Sequence, residues 1–147
     1  GRLLKVDRVR IALSDGTTAV RDVVRHPGAV VVLARAEDGR FVFVRQHRTA
    51  IGKQLLEAVA GTLNKGEDPT DCARRETAEE TGMPVRSLKT LGSFYPAPGY
   101  TDEILHAFYA LSPTLLLCNK RNACWNDDMF PLHPTLIAHM AIQLEWP

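Results

Sequence analysis

Hydrophobic and polar residues alternate along the first part of the chain. Valine, isoleucine and leucine recur among charged neighbours from Lys5 to Leu13, and the same pattern returns from Thr18 to Arg25. A period of two is typical of strands that bury one face. Turn-forming residues fill the interval Ser14–Thr17. The pattern therefore predicts an N-terminal β-hairpin within residues 1–25.

Apolar runs then become short and nearly continuous. Ala29–Ala34 and Phe41–Val44 flank an Asp-Gly turn, which predicts a second hairpin whose strands are buried on both faces. Further strands are predicted at Leu55–Ala60, Leu88–Phe94 and Ile104–Leu111.

The period changes to that of a helix after Asp68. Asp68 suits an N-cap, Pro69 suits the first helical position, and Asp71 adds negative charge to the first turn. Gly82 predicts the end of the helix, and Pro84 prevents its continuation. One helix embedded between strands predicts a mixed α/β fold.

The composition of the chain excludes some classes of partner. The 18 basic and 17 acidic residues give a formal net charge of +1, which provides no electrostatic reason to expect a nucleic acid or a membrane as partner. No apolar run approaches the roughly 20 residues of a membrane span. The 147 residues suit one domain, and we interpret 1–147 as a single unit with an atypical C-terminal segment at 111–147.

The cysteines and the first residue bear on the origin of the chain. Cys72, Cys118 and Cys124 are too few and too irregular for a disulfide framework, which favours the cytoplasm as the location. The chain begins with Gly1 rather than Met, so we expect a trimmed or partial N-terminus.

Three glutamates carry the strongest chemical signal. Glu76, Glu79 and Glu80 stand at i, i+3 and i+4 of the predicted helix, which places their carboxylates on one side. Clustered hard oxygen atoms are the ligands that Mg²⁺ requires. Glu67 can approach the same cluster, and Arg75 can orient a carboxylate through its fork of donors. A solvated helix face is the alternative interpretation of such a charge run.

The spacing around these glutamates decides between the two interpretations. The segment GTLNKGEDPTDCARRETAEETGM resembles the signature of the Nudix hydrolases, with every fixed position filled and Thr77 standing where an aliphatic residue is usual. The threonine methyl group can still pack, so we expect a small loss of stability there. The fixed positions are Gly61, Glu67, Arg75, Glu76, Glu79, Glu80 and Gly82, with Met83 in the closing aliphatic position.

The resemblance implies a fold, a reaction and a set of site residues. The implied fold is a mixed sheet sandwiched between helices, with the signature as a loop–helix–loop motif. The implied reaction is metal-dependent cleavage of a nucleoside diphosphate that is linked to another group, with Mg²⁺ as cofactor and Mn²⁺ able to replace it. The implied catalytic residues are Glu76, Glu79, Glu80 and Arg75, and the implied metal ligands are Glu76, Glu80, Glu79, the main chain of Ala60, and Glu67.

Three further segments are similar to those of ADP-ribose pyrophosphatases within this family. They are the stretch leading to the signature, with Glu57; the strand end Arg-Gln-His-Arg, with Arg48; and a loop with Pro98, Gly99 and Glu103. The resemblance implies that these residues bind the substrate, and that Arg21 and Arg25 reach its adenine end. Without it, the loop is a plain turn and Arg48 a solvent-facing strand end. His106 is interpreted as a packed or surface histidine.

The sequence leaves open two alternatives to this function, and the resemblance also implies an oligomeric state. The resemblance implies a homodimer in which the N-terminal hairpin crosses to a partner subunit. One alternative is a nucleotide-binding module with weak or no activity, because the resemblance fades after Ala110 and carries no general base. Asp127 and Asp128 are the candidates for that base, and Leu136–Leu144 predicts a short amphipathic helix. The other alternative is a different substrate, such as GDP-mannose or NADH.

Overall fold

The computed structural model describes residues 4–112 and 122–125. These ranges contain one α-helix, α1, and nine strands, and a short 3₁₀ turn at Thr49–Ile51 follows the fourth strand. The strands are β1 (Lys5–Ala12), β2 (Thr18–Arg25), β3 (Ala29–Ala36), β4 (Phe41–Arg48), β5 (Lys53–Glu57), β6 (Val59–Thr62), β7 (Ser87–Phe94), β8 (Leu105–Ser112) and β9 (Asn122–Trp125), and α1 is Pro69–Thr81. Within the same ranges, no helix has the length and apolar character needed to cross a membrane.

Strands β3 to β9 form a mixed sheet, and β1 and β2 form a separate two-stranded sheet. In the larger sheet, β3 and β8 run parallel to each other, whereas the other pairs are antiparallel. Parallel strands need cover on both faces, and every residue of β3 is accordingly buried or half-buried.

The prediction of one strand at Leu55–Ala60 is wrong. The segment forms two strands, because β3 and β4 pair only near their turn, at Ala34 with Val42 and Arg35 with Phe41, and then separate. The returning chain fills the opening between them. It pairs first with β4 as β5 and then, beyond Ala58, with β3 as β6.

The other edge of β4 pairs with β9, a strand that the weak periodicity of the C-terminal segment does not predict. Three predictions for this segment, the helix at Leu136–Leu144 and the acids Asp127 and Asp128, lie outside the described residues.

Helix α1 begins and ends where its capping residues predict. The carboxylate of Asp68 accepts a hydrogen bond from the backbone N–H of Thr70 at 2.7 Å, which satisfies one of the free donors of the first turn. Gly82 ends the helix at φ 73°, a left-handed conformation that glycine adopts without steric cost. The buried face of α1, with Cys72 and Ala73, packs on the core valines of β3 and β4.

The N-terminal hairpin forms as predicted, but the described residues leave several of its apolar side chains exposed. Val6 is 63% exposed and Val20 is 50% exposed. The hairpin joins the rest of the molecule at the end of β2, where Val24 forms an isolated parallel bridge with Thr101. The two strands pack extensively only on each other, so the predicted burial of one face needs another surface.

Thr77, the departure from the aliphatic position, lies fully buried in α1. Its hydroxyl donates a hydrogen bond to the carbonyl oxygen of Ala73 at 2.7 Å, so the polar group is satisfied within the helix. Thr77→Val keeps the shape and removes the buried hydroxyl, and we expect it to raise the free energy of unfolding by about 0.5–1 kcal/mol. Urea denaturation measures the change.

Thr77→Ser is the matched control, because it keeps the hydroxyl and loses the methyl group. The free energy of unfolding should fall by about 0.8 kcal/mol in this variant. A valine variant less stable than the parent would show that the hydroxyl, rather than the methyl group, stabilises the helix.

Candidate active site

The carboxylates of α1 face a cleft whose opposite wall is β4. The cleft has a volume of about 300 Å³. It is lined by Val44, Arg45, Gln46, Glu76, Glu79 and Glu80. A narrower recess adjoins it and is lined by Val44, Gln46, Arg48, Glu57, Ala58, Ala60 and Glu80. The separation of β3 from β4 is what brings β5, β6 and α1 together around this space.

Arg75 connects the acidic residues of the signature. Its Nε and Nη2 donate to the two oxygens of Glu67 at 2.8 and 2.9 Å. Its Nη1 donates to Oε1 of Glu76 at 2.6 Å and to Oε2 of Glu79 at 3.3 Å. One guanidinium thus offsets the repulsion among three carboxylates, as the sequence led us to expect of an orienting arginine.

The same contacts change the acidity of Glu67. Its hydrogen bonds from Arg75 and from the backbone N–H of Asn64 lower its pKa from 4.5 to about 2. The pKa of Arg75 is raised, chiefly by Glu67 and then by Glu76. Both oxygens of Glu67 are engaged in this way, so Glu67 acts here as a support for Arg75 rather than as a free metal ligand.

Gly61 is required for the position of Glu76. A Cβ atom added at Gly61 would lie 1.9 Å from Cδ and 2.2 Å from Oε1 of Glu76. The carboxylate therefore lies against the bare backbone of β6, in space that any side chain would fill. This close approach explains why the signature begins with a glycine fifteen positions before the glutamate.

Glu80 differs from its neighbours because it is half-buried and incompletely bonded. Its Oε2 is buried and has no hydrogen-bond partner among the described residues. Burial raises the pKa of Glu80, the backbone N–H of Ala60 opposes the rise, and the negative charge of Glu76 adds to it. An unpartnered buried carboxylate oxygen is costly, and a bound cation would remove that cost.

The donors fit a divalent cation, although they are not preassembled around one. In residues 4–112 and 122–125, no three acidic, histidine or cysteine side chains are arranged to hold a metal ion as they stand. Arg75, however, bonds only one carboxylate oxygen of Glu76 and one of Glu79, so the second oxygen of each remains able to bind a cation. With the unpaired oxygen of Glu80, they form a set of hard oxygen donors of the kind that Mg²⁺ binds.

Arg48 and Glu57, two predicted substrate residues, lie together in the recess. Nε of Arg48 donates to Oε1 of Glu57 at 2.9 Å, and a second hydrogen bond joins Nη2 to Oε2. The pKa of Arg48 is raised, chiefly by Glu57, and the charge of Glu80 adds to the effect. Ala60 lines the same recess, with its backbone N–H near Glu80.

The loop predicted to bind substrate is hydrogen-bonded to the end of the N-terminal hairpin and has no bond to the carboxylates of α1 among the described residues. Asp102 accepts hydrogen bonds from Nη1 of Arg25 and from the backbone N–H of His26, both at 2.9 Å. Glu103 lies 3.6 Å from Nδ1 of His26.

Some predicted substrate residues thus lie apart from the cleft. Pro98, Gly99, Glu103 and Arg21 line neither the cleft nor its recess, and Arg21 donates to the carbonyl oxygen of Val20. Their role in binding stays a prediction.

Sequence reasoning missed Val44, Arg45, Gln46 and Ala58 as lining residues. Val44 and Gln46 could have been found, because alternate residues of a strand share a face and Arg48 was already placed on this one. Ala58 could not, since its position depends on the break between β5 and β6.

A family model described as the NUDIX domain matches residues 24–125. The chain belongs to the Nudix family. The predicted fold class is confirmed, with a mixed sheet and with α1 as the helix of the loop–helix–loop motif. Nudix hydrolases generally use divalent metal ions, in agreement with the oxygen donors of the cleft.

Relatives with curated names extend over most of the chain. The methanol dehydrogenase activator of Bacillus methanolicus is 41% identical over 128 residues, covering 87% of this chain and 67% of that protein. The ADP-ribose pyrophosphatase of Bacillus subtilis strain 168 is 39% identical over 110 residues, covering 75% of this chain and 60% of that protein. The chain thus spans about two thirds or less of the length of these relatives.

A solved structure shows the same fold. The crystal structure of an ADP compounds hydrolase matches with a TM-score of 0.70 at 22% sequence identity, covering 100% of this chain and 78% of that chain.

The Glu67–Arg75 pair predicts a specific acid sensitivity. Because the pKa of Glu67 is lowered from 4.5 to about 2, its contribution to stability is complete above 4.5 and is lost as the pH falls towards 2. Glu67→Gln removes this titration, so its thermal midpoint should fall less steeply across that interval than the parent's. Thermal unfolding followed by circular dichroism at a series of pH values tests this.

Glu37→Gln serves as the control, because Glu37 forms an exposed ion pair with Arg86 on another part of the surface. It should keep the acid dependence of the parent protein. Equal slopes for the parent and Glu67→Gln would contradict the role given to the pair.

Proposed function

We propose that this chain is a Mg²⁺-dependent pyrophosphohydrolase that converts ADP-ribose, or a closely related nucleoside diphosphate sugar, to AMP and a sugar phosphate. The observation that carries the proposal is the unpartnered, buried oxygen of Glu80 in a cleft that it shares with Glu76 and Glu79. Family membership and the name of the pyrophosphatase relative support the reaction class. Mn²⁺ accepts the same oxygen ligands and is expected to replace Mg²⁺.

Each residue of the cleft has a distinct role in this proposal. Glu76, Glu79 and Glu80 would hold the cations, and Arg75, itself held by Glu67, keeps Glu76 and Glu79 on the cleft side of α1. A bound divalent cation neutralises phosphate oxygens and makes a bound water more acidic. In the reaction, a water oxygen forms a bond to one phosphorus and releases a proton to the solvent, while that phosphorus loses its bond to the bridging oxygen, which leaves with the second phosphate.

ADP-ribose is the proposed substrate because of the segments around Glu57, Arg48 and Pro98. Two of these three segments contribute to one recess beside Glu80, where Arg48 and Glu57 form their ion pair. The third is the loop anchored to the end of β2. GDP-mannose and NADH are the alternative substrates, and a comparison of kcat/KM for the three compounds decides among them.

Removal of one carboxylate tests the proposed chemistry. Glu80→Gln replaces an oxygen donor by a neutral amide of the same shape, so we expect kcat for ADP-ribose to fall by about 100-fold or more. The fold should persist, because the substitution replaces a half-buried charge with a neutral group and leaves the packing of the core unchanged. Formation of AMP and ribose 5-phosphate in the presence of Mg²⁺ is the measurement, and Glu37→Gln is again the matched control.

Two outcomes would overturn parts of this assignment. A near-parental rate in Glu80→Gln would remove Glu80 from the site. Absence of turnover in the parent protein, with retained ADP-ribose binding by calorimetry, would favour the nucleotide-binding module instead.

We also propose that the β1–β2 hairpin contacts a second copy of the chain. Five apolar side chains of the N-terminal region are more than a third exposed, and an isolated two-stranded sheet is marginally stable in water. Val6 and Val20 lie on one face of the hairpin and Ile11 lies on the other, so a two-fold assembly in which each hairpin packs against the other copy would cover these side chains on both copies. The five are Leu4, Val6, Ile11, Leu13 and Val20.

The oligomeric state provides the test of the hairpin contact. Size-exclusion chromatography with light scattering at micromolar concentration should give twice the mass of one chain. Val6→Lys should shift the protein to a monomer, because it places a charge in the apolar contact. Ile51→Lys is the matched control, since Ile51 is an apolar residue of similar exposure, 56% against 63% for Val6, at the 3₁₀ turn. A strictly monomeric parent protein would contradict the proposal.

A further inference from the structure

Arg48 lies in a recess with two carboxylates and is hydrogen-bonded to only one of them. Glu57 and Glu80 both line this recess. Nε of Arg48 donates to Oε1 of Glu57 at 2.9 Å, and Nη2 donates to Oε2. Oε2 of Glu80, by contrast, is buried and has no hydrogen-bond partner among the described residues. Arg48 is therefore held by Glu57, and an oxygen of Glu80 stays open to a cation.

Arg48 and Glu80 nevertheless attract each other. Burial raises the pKa of Glu80, and the positive charge of Arg48 opposes the rise. The pKa of Arg48 is raised chiefly by Glu57, and the negative charge of Glu80 adds to this effect. An Arg48 side chain released by Glu57 would thus find a second, half-buried carboxylate nearby. An ion pair between the two would engage the carboxylate that the proposed function gives to a cation.

The bonds between Arg48 and Glu57 depend on the length of both side chains. Where β4 pairs with β5, Glu57 lies opposite Val44, and Arg48 lies opposite Lys53, four positions further along β4. The two long side chains bridge this interval, and their two-point contact fixes the plane of the guanidinium. A shorter carboxylate at position 57 would not reach both nitrogen atoms.

Arg75 is held in the same manner. Its Nε and Nη2 atoms are bonded to the two oxygens of Glu67, and its Nη1 atom serves carboxylates of α1. In both arginines, a glutamate outside α1 engages the same edge of the guanidinium and sets its direction. Glu57 thus stands to Arg48 as Glu67 stands to Arg75.

We propose that Glu57 is a positioning residue of the metal site, which holds Arg48 by its Nε and Nη2 edge and so keeps the guanidinium from pairing with Glu80. The inference rests on the proposed function, because it takes Glu80 as a ligand of the cation. It differs from the role that the resemblance implies, since Glu57 acts here through Arg48 rather than by contact with the substrate.

Binding of Mn²⁺ in the absence of nucleotide tests this inference. The full chain is titrated with Mn²⁺, and the electron paramagnetic resonance signal of free Mn²⁺ gives the dissociation constant. Glu57→Gln should weaken Mn²⁺ binding by about 3–10-fold, because the released Arg48 competes with the cation for Glu80. Glu57→Asp should weaken it as well, since aspartate keeps the charge but is too short for the two-point contact.

A second substitution separates the effect of Arg48 from that of the charge at position 57. When Glu57→Gln is combined with Arg48→Gln, no guanidinium is left to compete, so the Mn²⁺ affinity should return to within about twofold of the parent's. A loss caused by the missing carboxylate charge alone would persist in the double variant and would be absent from Glu57→Asp. Glu37→Gln is the matched control, because it breaks an exposed ion pair with Arg86 and lines neither the cleft nor the recess.

The outcomes distinguish this inference from the proposed function. Thermal unfolding shows whether each variant is folded, and Glu57→Asp carries the comparison should Glu57→Gln fail to fold. Parental Mn²⁺ affinity in the folded Glu57 variants, or an undiminished loss in the double variant, would overturn the positioning role and leave the proposed hydrolysis intact. A loss that Arg48→Gln restores would support the role. A parent protein that binds no Mn²⁺ would overturn both proposals.

Discussion

The site depends on one electrostatic constraint, which is that three glutamates of α1 carry like charges on one side of the helix while Arg75 pairs with only two of them. Glu76, Glu79 and Glu80 follow at spacings that place like charges on one side of a helix, where each close pair costs about 0.2–0.5 kcal/mol. Arg75 forms ion pairs with Glu76 and Glu79. Glu80 is not paired with it, and burial raises the pKa of Glu80 instead. Because Arg75 is itself fixed by Glu67, the loop before α1 and the middle of α1 form one unit.

The backbone of β6 completes this arrangement by offering no side chain at Gly61. Glu76 lies against that bare position, and Ala60 next to it faces Glu80. The strand can be there only because β3 and β4 separate and leave room for the returning chain. The geometry of the sheet and the charge of the helix are therefore linked: a single continuous strand at residues 53–62 would not bring β6 under α1 and β5 beside Arg48.

Local signals predicted the parts of this structure that local forces determine. The ends of α1 follow from the side chain of Asp68 and the left-handed glycine at position 82, and both are properties of a few neighbouring residues. The shared side of the three glutamates follows from helical periodicity alone. The break at Ala58 did not follow, because it arises from the separation of two strands distant in sequence. The pairing of Arg48 with Glu57 depends on the register of β4 with β5, which a pattern of residues does not contain.

The loop and the hairpin, which the sequence predictions treat separately, are hydrogen-bonded to each other in the structure. Pro98, Gly99 and Glu103 were expected at the substrate, and the hairpin was expected at a partner subunit. In the structure, Asp102 is bonded both to the side chain of Arg25 and to the backbone N–H of His26, and Val24 exchanges backbone hydrogen bonds with Tyr100 and Asp102. Any displacement of the end of β2 must therefore carry the loop with it or break these bonds. If a second chain covers the hairpin, the same contact fixes the position of the loop relative to the carboxylate cleft, so the proposed assembly and the proposed binding of substrate by the loop share one structural connection.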